Sequence, residues 1–221
     1  MARYNALFYA EQREGSYASA RVVIGLLIQH LAVVSACDVG CGAGTWVKAL
    51  REAGVEDVMG FDGAYAEAAL EVPRQFFTAA DLRQTLAPGR RFDLALSLEV
   101  AEHLPAERSS GLVADLTRMA PAVLFSAAIP NQGGTDHINE RWQDDWANEF
   151  SRHGYVLCGF LPPQIWNNRT VEVWYRQNAM LFIARDHPQA QTLMQVAGQF
   201  TMPPSVVHPD MAPLTGHTIA R

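Results

Sequence analysis

The stretch DVGCGAGTW, Asp38 to Trp46, limits what this chain can fold into more than any other. An apolar run precedes it and a helix-like run follows it. Gly40, Gly42 and Gly44 occupy alternate positions between the two. Glycine tolerates positive φ and lets another group approach the backbone without meeting a Cβ. A strand that turns into a helix through such a loop suits an open α/β sheet with a ligand at the helix N-terminus. The spacing is G-x-G-x-G, whereas a dinucleotide loop reads G-x-G-x-x-G, so it argues against a pyrophosphate. Tight strand-to-helix turns also use glycine, and the loop alone names no ligand.

The rest of the chain alternates strand and helix. Tyr17 to Val34 carries Val22, Val23, Leu26, Leu27 and Leu31 at helical spacing. Strands are expected at SACDVG, Asp57–Asp62, QFFTAAD, Phe92–Glu99, Ala122–Ile129, GYVLCGFL and Asn178–Ala184. Helices are expected over Thr45–Ala53 (ended by Gly54), Glu107–Met119 and the tryptophan-rich Glu140–His153, with a helix or turn near Ala64–Leu70. Strands that are almost continuously apolar, such as FDLALSLE, suit a parallel sheet covered on both faces. The expected fold is α/β, an open, mostly parallel sheet. Residues 1–185 form the main domain with an N-terminal helical cap. Residues 186–221 form an extension with a short helical run, Ala190 to Phe200, and are a candidate lid or dimer contact.

Composition narrows the partners. Of 221 residues, 49% are hydrophobic and 18% charged, with net charge −6. No basic tract of five or more residues appears, which argues against a nucleic-acid backbone. An acidic surface disfavours anionic membranes. The longest apolar segment, Val22 to Val34, is interrupted by Gln29 and His30 and is too short to span a bilayer. The N-terminus has charges where a signal peptide needs an apolar core, so a cytoplasmic protein is expected. Cys37, Cys41 and Cys158 are odd in number and lack metal spacing, which reads as free thiols. Nothing in the pattern requires a metal.

Two acidic residues extend the glycine loop into a nucleoside site. Asp62, followed by Gly63, ends the second strand, where a carboxylate can accept two ribose hydroxyls. A capping Asp in FDGA is the competing reading. Asp81 in AADL ends the third strand and can take an adenine amino group, with Leu82 beside the ring; an N-cap role competes equally. Cys41 reads as a small buried filler, with a nucleophilic role as the alternative.

DVGCGAGTW, GFDGAY, AADL and FDLALSLEVAEHL, in that order, resemble the class I S-adenosylmethionine (SAM) methyltransferase family over about residues 17–185. The resemblance implies a Rossmann-like sheet of seven strands with the last antiparallel, and SAM across the C-terminal strand ends. It implies that Asp38, Gly40, Cys41, Gly42 and Gly44 line the amino-acid end of SAM. Asp62 and Gly63 would take the ribose, Asp81 and Leu82 the adenine, and Ser97, Leu98 and Glu99 the region of the sulfonium.

Three segments are left to choose the reaction. SLEVAEHLP places His103 where a general base or positioning group would sit, with packing of the loop as the plain alternative. Ala127–Trp142 is long, polar and glycine-rich, and offers Gln132, His137 and Asn139. NNRTVEVWYRQNAMLFI reads as a hairpin strand, with Trp174 and Tyr175 on opposite faces. An aromatic there would stabilise a sulfonium by about 0.5–2 kcal/mol. No dedicated acceptor domain is visible, which favours a small acceptor or none.

IPNQGGTDHINERW and WYRQN resemble a group of bacterial class I proteins that includes azetidine-2-carboxylate synthases of secondary metabolism. That resemblance implies cyclisation of SAM as the reaction: its α-amine displaces methylthioadenosine from Cγ. Asn139 and Tyr175 would hold the amine and the sulfonium, with His103 a third candidate. The alternative is methyl transfer to a small molecule, leaving S-adenosylhomocysteine.

Overall fold

The computed structural model describes residues 6–197 and 205–211. Seven strands form one sheet: β1 (Ser35–Val39), β2 (Asp57–Asp62), β3 (Phe77–Ala79), β4 (Leu94–Leu98), β5 (Ala122–Ser126), β6 (Tyr155–Cys158) and β7 (Met180–Ala184). Their order is β3-β2-β1-β4-β5-β7-β6. Pairs β1 to β5 are parallel, and β7 runs antiparallel to both β5 and β6. This is the seven-stranded Rossmann-like α/β fold that the motifs imply.

Period-two alternation explains why the strands read as continuous apolar runs. Ala36, Leu94, Leu96, Leu124, Leu181 and Ile183 enter the core on one face. Cys37, Val39, Ala95, Val123, Phe125 and Phe182 enter the core on the other. Helix α1 (Ala6–Ile28) and α2 (Thr45–Glu52) pack together on the first face. The second core includes residues of α3 (Ser109–Met119) and α4 (Gln143–Arg152), where Phe150 stacks on Phe182 at 3.9 Å between ring centroids.

Several boundaries differ from the sequence reading. The buried stripe of α1 is Ala20, Val23, Ile24 and Leu27, while Val22 and Leu26 are only half-buried. The helix stops at Ile28, short of Val34. Helix α4 begins at Gln143, because Glu140 is drawn back into the preceding loop by the amides of Asn131 and Gly133. The sixth strand ends at Cys158, and Leu161–Ile165 is a short helix, α5. The largest correction is Val173–Asn178, which is a helix, α6, rather than a hairpin strand. Its bonds run from Arg176 N to Glu172 O and from Ala179 N to Tyr175 O. Tertiary contacts override the β-type alternation of VEVWYRQN here.

Helix α7 (Ala190–Ala197) opens the C-terminal extension; the expected helical residues 198–200 lie outside the described residues. Residues 205–211 dock on the back of α6. Arg176 donates to Asp210 (2.9 Å), Gln177 donates to Val206 O (2.6 Å), and Gln177 Oε1 accepts from His208 N. His208 is buried and contacts Trp166 O at 2.7 Å. The extension thus braces the helix that carries Tyr175. Among the described residues, no helix is long and apolar enough to cross a membrane.

Candidate active site

A cleft of about 1050 Å³ opens at the C-terminal ends of the parallel strands. It sits where the strand order reverses between β1 and β4, the switch point at which open α/β sheets bind ligands. Its walls come from the glycine loop, the ends of β2, β3 and β4, the loop after β5, helix α6 and Ser16 of α1.

The glycine loop forms the floor of one half. Gly40 and Gly44 have φ of 87° and 83°, a region that side chains rarely adopt. A Cβ on Gly40 would stand 2.2 Å from Val100, and one on Gly44 2.6 Å from Val72. Both glycines are therefore also fixed by close packing against apolar neighbours. The Asp62 carboxylate closes the loop: Oδ2 accepts the Gly42 amide (2.7 Å), and Oδ1 accepts the Gly63 amide and the Tyr65 hydroxyl (both 2.6 Å). Tyr65 itself is half-exposed at the rim of the cleft. Its phenol gives Asp62 the kind of hydroxyl partner that a ribose would offer.

Asp38 is buried in β1, and its Oδ2 has no hydrogen-bond partner. Burial, with the Asp62 charge nearby, pushes its carboxyl up to about 8. Cys41 is buried with its sulfur filling the space that a Gly60 Cβ would need. Burial and then the Asp38 charge hold its thiol well above the ordinary value, so it stays protonated at neutral pH.

The next wall carries Asp81 and Leu82. Asp81 is partly exposed and paired with Arg83 through both carboxylate oxygens (2.8 and 3.0 Å), which hold it below the usual carboxylate range. Leu82 is buried, and its carbonyl accepts from Arg108 Nε at 2.9 Å. Arg108 is itself paired with the buried Asp115 of α3. A chain of buried polar contacts thus fixes this wall to the helix behind it.

The other half of the cleft is assembled from distant segments. Ser97 is fully buried at the end of β4. Glu99 adopts a φ of 54°, and its amide donates to Ser126 O (3.1 Å) and Oγ (3.0 Å). Its carboxylate accepts from Gln132 (3.1 Å) and Asn178 (3.2 Å). Burial still raises its pKa, against the lowering effect of these hydrogen bonds. Glu102 is fully buried with neither carboxylate oxygen hydrogen-bonded, and burial, reinforced by the Glu99 charge, raises it well above the carboxylate range. Burial and then His137 lower His103, which is neutral at pH 7.

Tyr175 lines the cleft with Trp174 and Trp46. Its hydroxyl lies 3.1 Å from Ser16 Oγ and accepts from Trp46 Nε1 at 3.4 Å. Burial pushes it up to about 12, so it remains a neutral phenol.

A family model described as a methyltransferase domain matches residues 9–199. The chain belongs to the class I SAM-dependent methyltransferase family. Solved structures with the same fold include magnesium protoporphyrin IX methyltransferase from Synechocystis PCC 6803 with bound SAM. It is 18% identical, with a TM-score of 0.55 over 77% of this chain and 80% of that one. The sugar N-methyltransferase KedS8 from Streptoalloteichus sp ATCC 53650 is 14% identical, with a TM-score of 0.63 over 81% of this chain and 92% of that one. Streptomyces venezuelae DesVI, also 14% identical, gives 0.61 over 80% and 95%. No curated protein sequence matches the chain.

Within this methyltransferase fold, the cleft gathers Gly40, Cys41, Gly42, Asp62, Gly63, Asp81, Leu82, Leu98, Glu99, His103 and Tyr175 from the residues singled out in the sequence. Asp38, Gly44 and Ser97 do not line it. Asn139 is placed differently. It is buried, and its amide donates to Ala101 O (3.1 Å) and Ser109 Oγ (2.9 Å), tying the loop after β5 to the start of α3. Tyr65 and Asn178 have no role in the site on the sequence reading. Asn178 sits at the end of a segment with strand-like alternation, and only the helical turn of α6 brings it to Glu99. Tyr65 closes the GFDGAY motif, but the motif gives it no role of its own.

Proposed function

We propose that the chain is a SAM-dependent methyltransferase acting on a small-molecule acceptor. One observation carries this reading: the cleft is continuous from Asp62 and Leu82 to Glu99 and His103, and its volume of about 1050 Å³ lies at the upper end of the range of about 300–1000 Å³ typical of ligand pockets. Such a cleft would take a cofactor with a small second molecule at its reacting end.

The residues present fit SAM. Asp62 is a buried carboxylate whose Oδ1 already holds a hydroxyl, and it would take the ribose in place of Tyr65. Leu82, locked by Arg108, would flank the adenine. The amides of the glycine loop and the neighbouring Asp38 would face the amino-acid end. Bound there, SAM supplies an electrophilic methyl group on a sulfonium. Trp46, Trp174 and Tyr175 give that end of the cleft an aromatic wall suited to a cation, worth about 0.5–2 kcal/mol. His103, neutral at pH 7, can accept the proton that a hydroxyl or amine acceptor loses.

A second reading is favoured by one feature of the reaction half. The Glu99 carboxylate lines the cleft and is oriented by the amide nitrogens of Gln132 and Asn178, an arrangement that would suit an amine. Were that amine SAM's own, the reaction would be closure to azetidine-2-carboxylate with release of methylthioadenosine. Asn178 and Glu99 would then do what the sequence reading gave to Asn139, and Tyr175 would still face the sulfonium.

Product analysis separates the two. Purified protein is incubated with SAM alone and with SAM plus a panel of small phenols, amines and sugars. Methyl transfer is supported by S-adenosylhomocysteine that forms only when an acceptor is present. Methylthioadenosine and a cyclic imino acid from SAM alone would overturn it in favour of cyclisation.

A further inference from the structure

The reaction half of the cleft holds three side chains whose chemistry neither reading above uses in full. Glu102, His103 and His137 each bring one ligand atom within 4.8 Å of the other two. All three line the cleft. The geometry points to a binding site for a divalent transition-metal ion held by Glu102, His103 and His137.

Four observations support it. Glu102 is fully buried in the wall of the cleft, and neither carboxylate oxygen has a hydrogen-bond partner. The Glu102 and Ala128 amides and the Glu99 carboxyl are its nearest polar groups, a poor set of partners for a buried carboxylate, and a cation is one of the few groups that can satisfy it. His137 is oriented as metal-bound histidines are: its Nδ1 lies 3.1 Å from the Glu140 carboxylate, leaving Nε2 as the metal donor. Glu140 is itself pinned by the amides of Asn131 (2.7 Å) and Gly133 (3.1 Å), so the carboxylate–histidine pair is built into the loop. Space beside His137 Nε2 is kept by Gly134, where a Cβ would come within 2.4 Å.

His103 is oriented in a comparable way, with Nδ1 3.4 Å from Asp136 O, and its ring meets that of His137 edge to face at 4.9 Å. Two imidazoles and one carboxylate suit Zn²⁺, Co²⁺ or Fe²⁺ rather than Mg²⁺ or Ca²⁺, which prefer all-oxygen sites. Three protein ligands leave coordination positions open toward the cleft. If methyl transfer is the reaction, those positions would take an acceptor oxygen and ease loss of its proton, and His103 would then serve as a ligand in place of the base. That role rests on the proposed function; the binding site does not.

Co²⁺ is the probe, because its visible absorption reports the ligand set. Chelator-treated full-length protein is titrated with Co²⁺ and, separately, dialysed against Zn²⁺ for metal analysis. The expected result is one equivalent of metal per chain, with affinity reduced at least about tenfold in His103→Ala, His137→Ala and Glu102→Gln. Glu140→Gln should weaken binding less while altering the spectrum. His137 lies in a loop, so His137→Ala gives a variant that keeps the core intact, checked by circular dichroism. Asp62→Ala serves as the control: it should lose SAM and keep Co²⁺. Less than one equivalent bound by the wild type, or unchanged affinity in both histidine variants, overturns the site. Failure of SAM binding with Co²⁺ binding intact would instead count against the functional reading.

Discussion

The two halves of the cleft hold their carboxylates in different ways. Asp62 is held by Gly63 and Tyr65, one and three positions along the chain, and by Gly42, twenty back. All of these lie within one strand–helix–strand unit and the turn that follows it. Glu99 is held by Gln132 and Asn178, 33 and 79 positions away, on a loop and a helix that share no segment with β4. The first half is a local device that any chain with the right motif can build. The second exists only when the whole sheet has formed and α6 has docked. The cofactor half is thus set by motif, and the reaction half by tertiary assembly.

The largest effect is expected where the local half is broken at its backbone. Gly40→Ala puts a Cβ into the Val100 side chain at a φ of 87°. Strain of about 1–3 kcal/mol and overpacking of about 1–3 kcal/mol should add. Thermal unfolding should show a Tm lower by several degrees, and SAM binding should be lost. A Tm within a degree of wild type would remove packing from the account of this glycine.

Asp38 tests the same half through pH. Its carboxyl titrates at about 8 in the folded protein, against the ordinary 3.8. A raised pKa means that the folded state retains a proton the unfolded state has lost. Its contribution is therefore fully present below about pH 4 and is lost as pH rises to about 8. In ligand-free protein, Asp38→Asn should flatten that decline and raise Tm at pH 8, by roughly 2–4 °C for each kcal/mol recovered. Parallel stability profiles for the two proteins would contradict the burial argument.

Glu99→Gln addresses the other half. It should leave SAM affinity nearly unchanged and lower kcat about 100-fold, because the charge faces the reacting end rather than the nucleoside. Loss of SAM binding in this variant would mean that the two halves are not separable. The smallest expected effect is at the rim. Tyr65→Phe removes the phenol that competes for Asp62 Oδ1, and SAM should bind about 2- to 10-fold more tightly. Weaker binding in calorimetry would make Tyr65 a SAM contact instead of a competitor.

The same contrast explains what could be read from the chain. The central strands β1, β4, β5 and β7 were legible because they are buried on both faces, and the glycine loop because its spacing is local. Asp62 ends β2 as expected, whereas β3 stops at Ala79 and Asp81 lies two residues beyond it. The reaction half was not legible in this way. Tyr175 was found, but as a strand residue, because VEVWYRQN alternates like one and only the docking of residues 205–211 on Arg176 and Gln177 shows α6 as a braced helix. Asn139 looked like a site residue because it is polar in a polar loop, yet its amide is spent on Ala101 and Ser109. His103 and His137, 34 positions apart, become neighbours only through the loop that Glu140 folds back. No periodicity encodes such meetings.

The central claim is that the local half of the cleft binds SAM through Asp62. Calorimetric titration of SAM into wild-type protein and Asp62→Ala tests it most directly. The expected result is one equivalent bound by the wild type, displaced by S-adenosylhomocysteine, and affinity weaker by about 100-fold in the variant, as loss of two hydrogen bonds to a charged acceptor implies. A wild-type chain that takes up no SAM, or a variant that binds it equally well, would contradict the account.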